Sequence, residues 1–66
     1  GNYRQAIEDY SKAIKIKPDY AGAYKNRGIA YARFGNENLA VNDLKTAAKL
    51  GDEPARNYFR SKGINW

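Results

Sequence analysis

The chain has 66 residues, of which 42% are hydrophobic, and its 12 lysines and arginines against seven acidic residues give a net charge of +5. It contains no cysteine and no histidine, which excludes disulfides, thiolate metal sites and a histidine general base, and we expect no cofactor. The length is that of one small domain with a limited core. No apolar run is long enough to span a membrane. The basic charge favours acidic partners in general and nucleic acid only weakly.

The first half of the chain is predicted to form two helices. Apolar residues recur at helical spacing over residues 2–17, and Pro18 ends this first helix because proline disfavours helical backbone at the residue before it. A second helix is predicted over residues 20–34, with Asp19 as its N-cap and Gly35 in the left-handed position that closes it.

The second half is predicted to form two more helices. The third covers residues 36–50, and Asp52 caps a fourth that ends at Gly63. Beyond that glycine, Ile64 and Trp66 are expected to fold back onto the last turn of the fourth helix. The connections are short, so we expect consecutive helices to run antiparallel.

The chain repeats itself at a spacing of 34 residues. The identical pairs are Gly1 and Gly35, Asn2 and Asn36, Ala6 and Ala40, Asp9 and Asp43, Ala13 and Ala47, Lys15 and Lys49, Ala21 and Ala55, and Tyr24 and Tyr58. A fixed period of this length is typical of helical repeat arrays, in which each unit buries its apolar face against its neighbours. Such arrays usually bind other chains, which favours an interaction module over an enzyme.

The residues at key positions of the repeat resemble the tetratricopeptide repeat (TPR) family. The complete repeat has Tyr24, Gly28, Tyr31, Gly35, Ala40 and Leu44 at the signature spacings, and the half-repeat before it has Gly1, Tyr3, Ala6, Tyr10, Ala13 and Pro18. Arg27 departs from the pattern, since the signature has leucine there. The resemblance implies an all-α fold, in which about four antiparallel helices form a short right-handed α-solenoid.

The resemblance also divides the chain into three parts. Residues 1–19 correspond to the second helix of a truncated repeat, residues 20–53 to one complete repeat, and residues 54–66 to a C-terminal capping helix. Because the helix that precedes the first part in the family is absent from this sequence, apolar side chains of the first helix lack a partner. They are Ile7, Tyr10 and Ile14. We therefore expect self-association or exchange of helices between chains.

A peptide-binding groove is implied by the same resemblance, because the first helix of each repeat lines the concave face in this family. The residues predicted to line it are Lys25, Asn26, Ile29, Arg33, Arg56, Phe59 and Arg60. In the carboxylate-clamp subclass, residues at the positions of Asn26, Arg56 and Arg60 grip an acidic C-terminal tail, and guanidinium groups suit that role by binding carboxylates bidentately. The clamp also needs residues from the absent helix, so this chain would supply part of it.

Several alternatives remain open at this point. The groove could instead be apolar or mixed and take some other peptide, or the chain could be a self-association element without a peptide ligand. A nucleic-acid-binding module is supported only by the net charge. The tyrosines at packing positions of the repeat are interpreted as core rather than base-stacking platforms: Tyr3, Tyr10, Tyr24, Tyr31 and Tyr58. Tyr20 is expected to be exposed.

Overall fold

Four α-helices make up the fold in the computed structural model, which describes residues 2–66. They are α1 (Tyr3–Ile16), α2 (Ala21–Phe34), α3 (Glu37–Lys49) and α4 (Glu53–Ser61). Every predicted helix is present and ends close to its predicted limits, and no strand occurs in the part of the chain that the structure describes. The predicted all-α class is therefore confirmed.

Three of the four helices begin with a side-chain cap. The side-chain oxygens of Asn2, Asn36 and Asp52 each accept a hydrogen bond from the amide three residues along, at 3.0, 3.2 and 2.9 Å. The helix α2 is the exception, because Tyr20 occupies its N-cap position and makes no side-chain cap bond. The prediction that Asp19 caps α2 is therefore wrong.

Left-handed glycines close α2 and α3. Gly35 and Gly51 have φ values of 100° and 103°, a region that glycine enters without a Cβ clash. After each glycine, the next amide donates back into the final turn, from Asn36 to the carbonyl of Tyr31 and from Asp52 to that of Ala47. These tight ends reverse the chain, so that α2, α3 and α4 pack as consecutive hairpins.

The helices α2 and α3 approach each other closely at Gly28. A Cβ built on Gly28 would lie 3.1 Å from the carbonyl oxygen of Ala40, 3.1 Å from Cγ of Leu44 and 3.2 Å from Cβ of Asp43. The absence of a side chain at Gly28 therefore allows the two helices to come together.

Burial increases from the first helix to the last pair. No residue of α1 is buried, although it packs against α2, whereas α3 lies between α2 and α4. The main buried cluster joins α3 to α4. Its members are Leu44, Ala47, Ala48, Ala55 and Phe59, and the partly buried Tyr24, Val41 and Trp66 pack against it. The core is thus concentrated at the C-terminal end of the stack.

A polar network joins the first three helices inside this packing. The guanidinium of Arg27 in α2 donates bidentately to the carboxylate of Asp43 in α3, at 2.7 and 2.8 Å, and also to Oγ of Ser11 in α1 at 3.0 Å. The rings of Tyr24 and Tyr31 lie 5.5 and 5.7 Å from the same guanidinium. The hydrogen bond to Asp43 raises the pKa of Arg27 above its ordinary value, against the opposing effect of burial.

The tyrosines follow the predicted pattern with one exception. Four of them are partly buried: Tyr3, Tyr10, Tyr24 and Tyr31. Tyr20 is 46% exposed, as expected. Tyr58 is 36% exposed and sets its ring edge-on to Phe59 at 5.1 Å, so the prediction that it belongs to the core is wrong.

Candidate functional site

A groove lies between α2 and α4, with α3 as its floor; we call it the α2–α4 groove. It encloses about 360 Å³. Its lining residues are Lys25, Ile29, Ala32 and Arg33 from α2, Glu37, Ala40, Val41 and Leu44 from α3, and Pro54, Ala55 and Tyr58 from α4. Most of these side chains are apolar, so the groove suits an apolar group of a ligand.

Charged side chains stand beside the apolar floor of this groove. Lys25 and Arg33 lie on the same side of α2, about two turns apart, and Glu37 lies in the first turn of α3. None of the three forms an ion pair with another residue of the described range 2–66. The groove therefore offers two cations and one carboxylate to a ligand.

A second, smaller groove runs between α1 and α2; we call it the α1–α2 groove. It encloses about 240 Å³. Its lining residues are Tyr3, Ala6, Tyr10, Asn26, Ile29, Ala30 and Arg33. Ile29 and Arg33 line both grooves, so they form the ridge that separates them.

The structure brings together only some of the residues predicted to bind a peptide. Lys25, Ile29 and Arg33 meet in the α2–α4 groove, whereas Asn26 faces the α1–α2 groove. Phe59 is 1% exposed and belongs to the core, so its predicted place on the groove surface is wrong. The physical reason is that α4 turns its two apolar residues at i, i+4 spacing, Ala55 and Phe59, toward α3.

Arg56 and Arg60 line neither groove and are engaged within the chain. Nε of Arg56 donates to the carbonyl oxygen of Ala48 at 2.8 Å. Both guanidinium groups lie 5.4 Å from the ring of Trp66, and both reach the carboxylate of Glu53, at 3.8 and 3.5 Å. Asn26 therefore lines the α1–α2 groove, whereas these arginines line neither of the two grooves.

Several groove residues were not predicted from the sequence. Tyr58 and Pro54 supply the α4 wall, while Val41 and Leu44 supply the floor. The 34-residue period placed Phe59 in the groove because it is the counterpart of Lys25. The amphipathic pattern of α4 was the signal that could have corrected this assignment, since it favours Phe59 as the buried residue.

Comparison with known proteins identifies the repeat. The family profile described as TPR repeat matches residues 1–35, which is just over half of the chain. Small glutamine-rich tetratricopeptide repeat-containing protein 2 of Mycosarcoma maydis is 34% identical over 59 residues, which cover 89% of this chain and 17% of that protein. This chain belongs to the tetratricopeptide-repeat family.

Two further relatives of this TPR chain illustrate the range of proteins that carry the repeat. Serine/threonine-protein phosphatase 5 of Homo sapiens is 34% identical over 64 residues, which cover 97% of this chain and 13% of the phosphatase. Hsp70-Hsp90 organizing protein 3 of Arabidopsis thaliana is 30% identical over 64 residues, covering 97% of this chain and 12% of that protein. The TPR chain thus spans less than a fifth of these relatives. No solved structure matches it significantly.

The TPR fold is a non-catalytic interaction fold, and the match to the phosphatase covers its repeat region rather than its catalytic domain. The chain is therefore a helical repeat module of the protein-binding, scaffold type. Within residues 2–66, no group of acidic side chains is arranged to hold a metal ion. No helix of that range is long and apolar enough to cross a membrane.

Proposed function

We propose that this TPR module binds a peptide segment of a partner protein in the α2–α4 groove. The observation that carries the proposal is the groove of about 360 Å³, whose floor is apolar and whose sides carry Lys25 and Arg33, neither of them ion-paired with any residue of the range 2–66. A groove of this kind binds an apolar anchor and leaves the cations to select the flanking residues of the ligand.

The partner segment that fits this groove has one large apolar residue with acidic neighbours. Burial of such an apolar side chain contributes about 1.5–3 kcal/mol. Carboxylates next to it would meet Lys25 and Arg33, and charge complementarity of this kind raises both specificity and association rate. An acidic C-terminal tail is one source of such a segment. A protein partner is supported by the name of one relative, which is an Hsp70-Hsp90 organizing protein.

The first test measures the binding of a fluorescein-labelled peptide in which a leucine is flanked by glutamates. Lys25→Glu reverses a charge beside the groove and should weaken binding about tenfold. Lys12→Glu is the matched control, because Lys12 is exposed on α1 and lines neither groove. Equal affinities of the two variants would contradict the proposal.

The carboxylate clamp formed by Asn26, Arg56 and Arg60 remains an alternative way of binding an acidic tail. It would require the two arginines to leave Trp66 and Glu53, which hold them on another side of α4. The same peptide with an amidated C-terminus separates the two modes. A large loss of affinity on amidation, together with a large loss in Arg60→Gln, would favour the clamp over the α2–α4 groove.

A second candidate function is self-association through α1. The specific observation is that no residue of α1 is buried, although Tyr3, Ala6 and Tyr10 line an open groove with α2. A second copy that covers this side would bury apolar surface that one chain leaves in water.

Sedimentation over a range of concentrations tests this candidate. Tyr3→Lys places a charge in the α1–α2 groove and should abolish association. Gln5→Lys makes the same change of charge on the exposed side of α1 and should leave it intact. A wild-type chain that stays monomeric at every concentration would contradict self-association and would leave the peptide-binding proposal untouched.

A further inference from the structure

The charged side chains of the α2–α4 groove are distributed unevenly along its length. The helices α2 and α3 run in opposite directions from the turn at Gly35, and Gly28 in the middle of α2 faces the middle of α3. Arg33 in the last turn of α2 therefore lies level with Glu37 in the first turn of α3. Lys25 lies earlier on α2, about 12 Å from Arg33 along the helix axis. One end of the groove thus carries a single cation, whereas the other end carries a cation and a carboxylate.

The two ends also differ in how they are enclosed. The wall that α4 supplies consists of Pro54, Ala55 and Tyr58. The start of α4 packs against the second half of α3, where Leu44 and Ala47 lie, and this is the half that meets the start of α2. The α4 wall therefore stands at the Lys25 end. Glu37 also lines a shallow depression formed by residues 34–38, so its end of the groove opens onto the turn between α2 and α3.

Glu37 is available to a ligand. It is exposed, and neither it nor Arg33 forms an ion pair with any residue of the range 2–66. Glu53 lies next to the α4 wall in sequence, but its carboxylate is already engaged by Arg56 and Arg60. Among the described residues that line the groove, Glu37 therefore supplies the only carboxylate.

We propose that Glu37 selects a basic residue in the bound peptide. The segment that fits the groove then has an acidic residue on one side of its apolar anchor, which meets Lys25, and a basic residue on the other side, which meets Glu37. An acidic residue at the second position would meet like charge beside Arg33 and would gain little. This inference rests on the proposed peptide-binding function of the groove and names the class of segment that it binds.

The length of the groove sets the spacing of the two charges in the test peptides. An extended chain covers about 12 Å in about four residues, so the charged residues are placed two positions to either side of a central leucine. The mixed peptide has one glutamate and one lysine there and is made in both orders, of which the tighter is used. The acidic peptide has glutamate at both positions.

The test compares how one substitution changes the affinities for the two fluorescein-labelled peptides. Glu37→Gln should weaken binding of the mixed peptide about threefold and tighten binding of the acidic peptide about threefold, as expected for a single exposed charge. Glu8→Gln is the matched control, because it makes the same change of charge at an exposed residue of α1 that lines neither groove. It should leave the ratio of the two affinities unchanged.

Opposite changes for the two peptides distinguish charge selection from a loss of folding, which would weaken both. Glu37→Gln affinities that change in the same direction, or not at all, would overturn the selection by Glu37. If Lys25→Glu still weakens binding of the acidic peptide in that case, the groove remains the binding site. If Lys25→Glu also has no effect, the proposed function fails together with this inference.

Discussion

The two ends of this helical stack differ in how their outer helices are held. The helix α1 has 14 residues and none of them is buried, whereas α4 has only nine residues and buries Ala55 and Phe59. α4 packs on α3 and is followed by Trp66, which also packs against the cluster that the two helices share, while α1 packs mainly on α2. Helix length therefore does not decide burial here. The apolar side chains that pack into the cluster shared with α3 decide it, as expected for a helix stabilised by tertiary packing of its apolar face.

The largest expected effect comes from removing the buried aromatic side chain of α4. Phe59→Ala should lower the free energy of unfolding by about 3–5 kcal/mol, because it removes a fully buried ring and leaves a cavity. Ile7→Ala is the comparison in α1. It should lower the free energy of unfolding by less than about 2 kcal/mol, since Ile7 is only partly buried. Urea denaturation followed by circular dichroism measures both. Equal losses in the free energy of unfolding would show that packing stabilises α1 and α4 to the same extent.

The next largest effect concerns the polar network of Arg27, Asp43 and Ser11 that joins the first three helices. Asp43→Ala should destabilise the chain by up to about 3 kcal/mol, because it leaves the partly buried side chain of Arg27 without its carboxylate partner. Replacing both residues with leucine should be milder than this single change, since no unpaired charge remains. A double variant as unstable as Asp43→Ala would show that the unpaired charge is not the cause.

The same network has a defined pH dependence on the arginine side. The folded-state pKa of Arg27 is raised, so its stabilising contribution is present below the unfolded-state pKa and is lost only as the pH rises through the higher, folded-state value. Arginine titrates in strong base. We therefore expect no loss of this contribution as the pH rises across the physiological range.

A smaller effect is expected where α2 and α3 approach each other. Gly28→Ala gains about 1 kcal/mol of helix propensity, but its Cβ would lie 3.1 Å from a backbone oxygen, and overpacking of this kind costs about 1–3 kcal/mol. We expect a net loss of stability. Gly22→Ala is the control, because its Cβ would meet only the Tyr20 ring at 3.5 Å, and it should stabilise the chain slightly. Thermal melts of the two variants should shift in opposite directions.

The smallest effect compares the same kind of cap at the two ends. Asp52→Ala removes the cap of α4 and should lower the free energy of unfolding by about 1 kcal/mol. Asn2→Ala removes the corresponding cap of α1 and should have less effect, because the first turn of a weakly packed helix opens locally at little expense. A larger loss in the free energy of unfolding for Asn2→Ala than for Asp52→Ala would contradict the expectation that α1 is the more weakly packed helix.

Much of the fold was predictable because it depends on local patterns. The four helices follow from apolar spacing, from caps such as Asn36 and Asp52, and from glycines such as Gly35. Gly28 occupies a signature position of the repeat, and the structure places it at a close approach of α2 and α3. These features depend on residues within one repeat, and the sequence contains almost two copies of that repeat.

The rest depends on how elements meet, which a fixed period does not specify. Counting 34 residues from Lys25 placed Phe59 in the groove, but α4 packs with its own apolar pair inward and Tyr58 faces the groove instead. The pairing of Arg27 with Asp43 joins residues 16 positions apart on different helices, and no local pattern indicates it. Propensity and periodicity locate helices, whereas in α4 the buried pair Ala55 and Phe59 sets which side of the helix faces α3.

The most direct test of the account is an amide-resolved NMR titration with the leucine–glutamate peptide, run with a free and with an amidated C-terminus. We predict shifts centred on the α2–α4 groove, at Lys25, Ile29, Val41, Ala55 and Tyr58, of similar size for both forms of the peptide. Shifts confined to Asn26, Arg56 and Arg60 that weaken on amidation would contradict the assignment of this groove as the binding site.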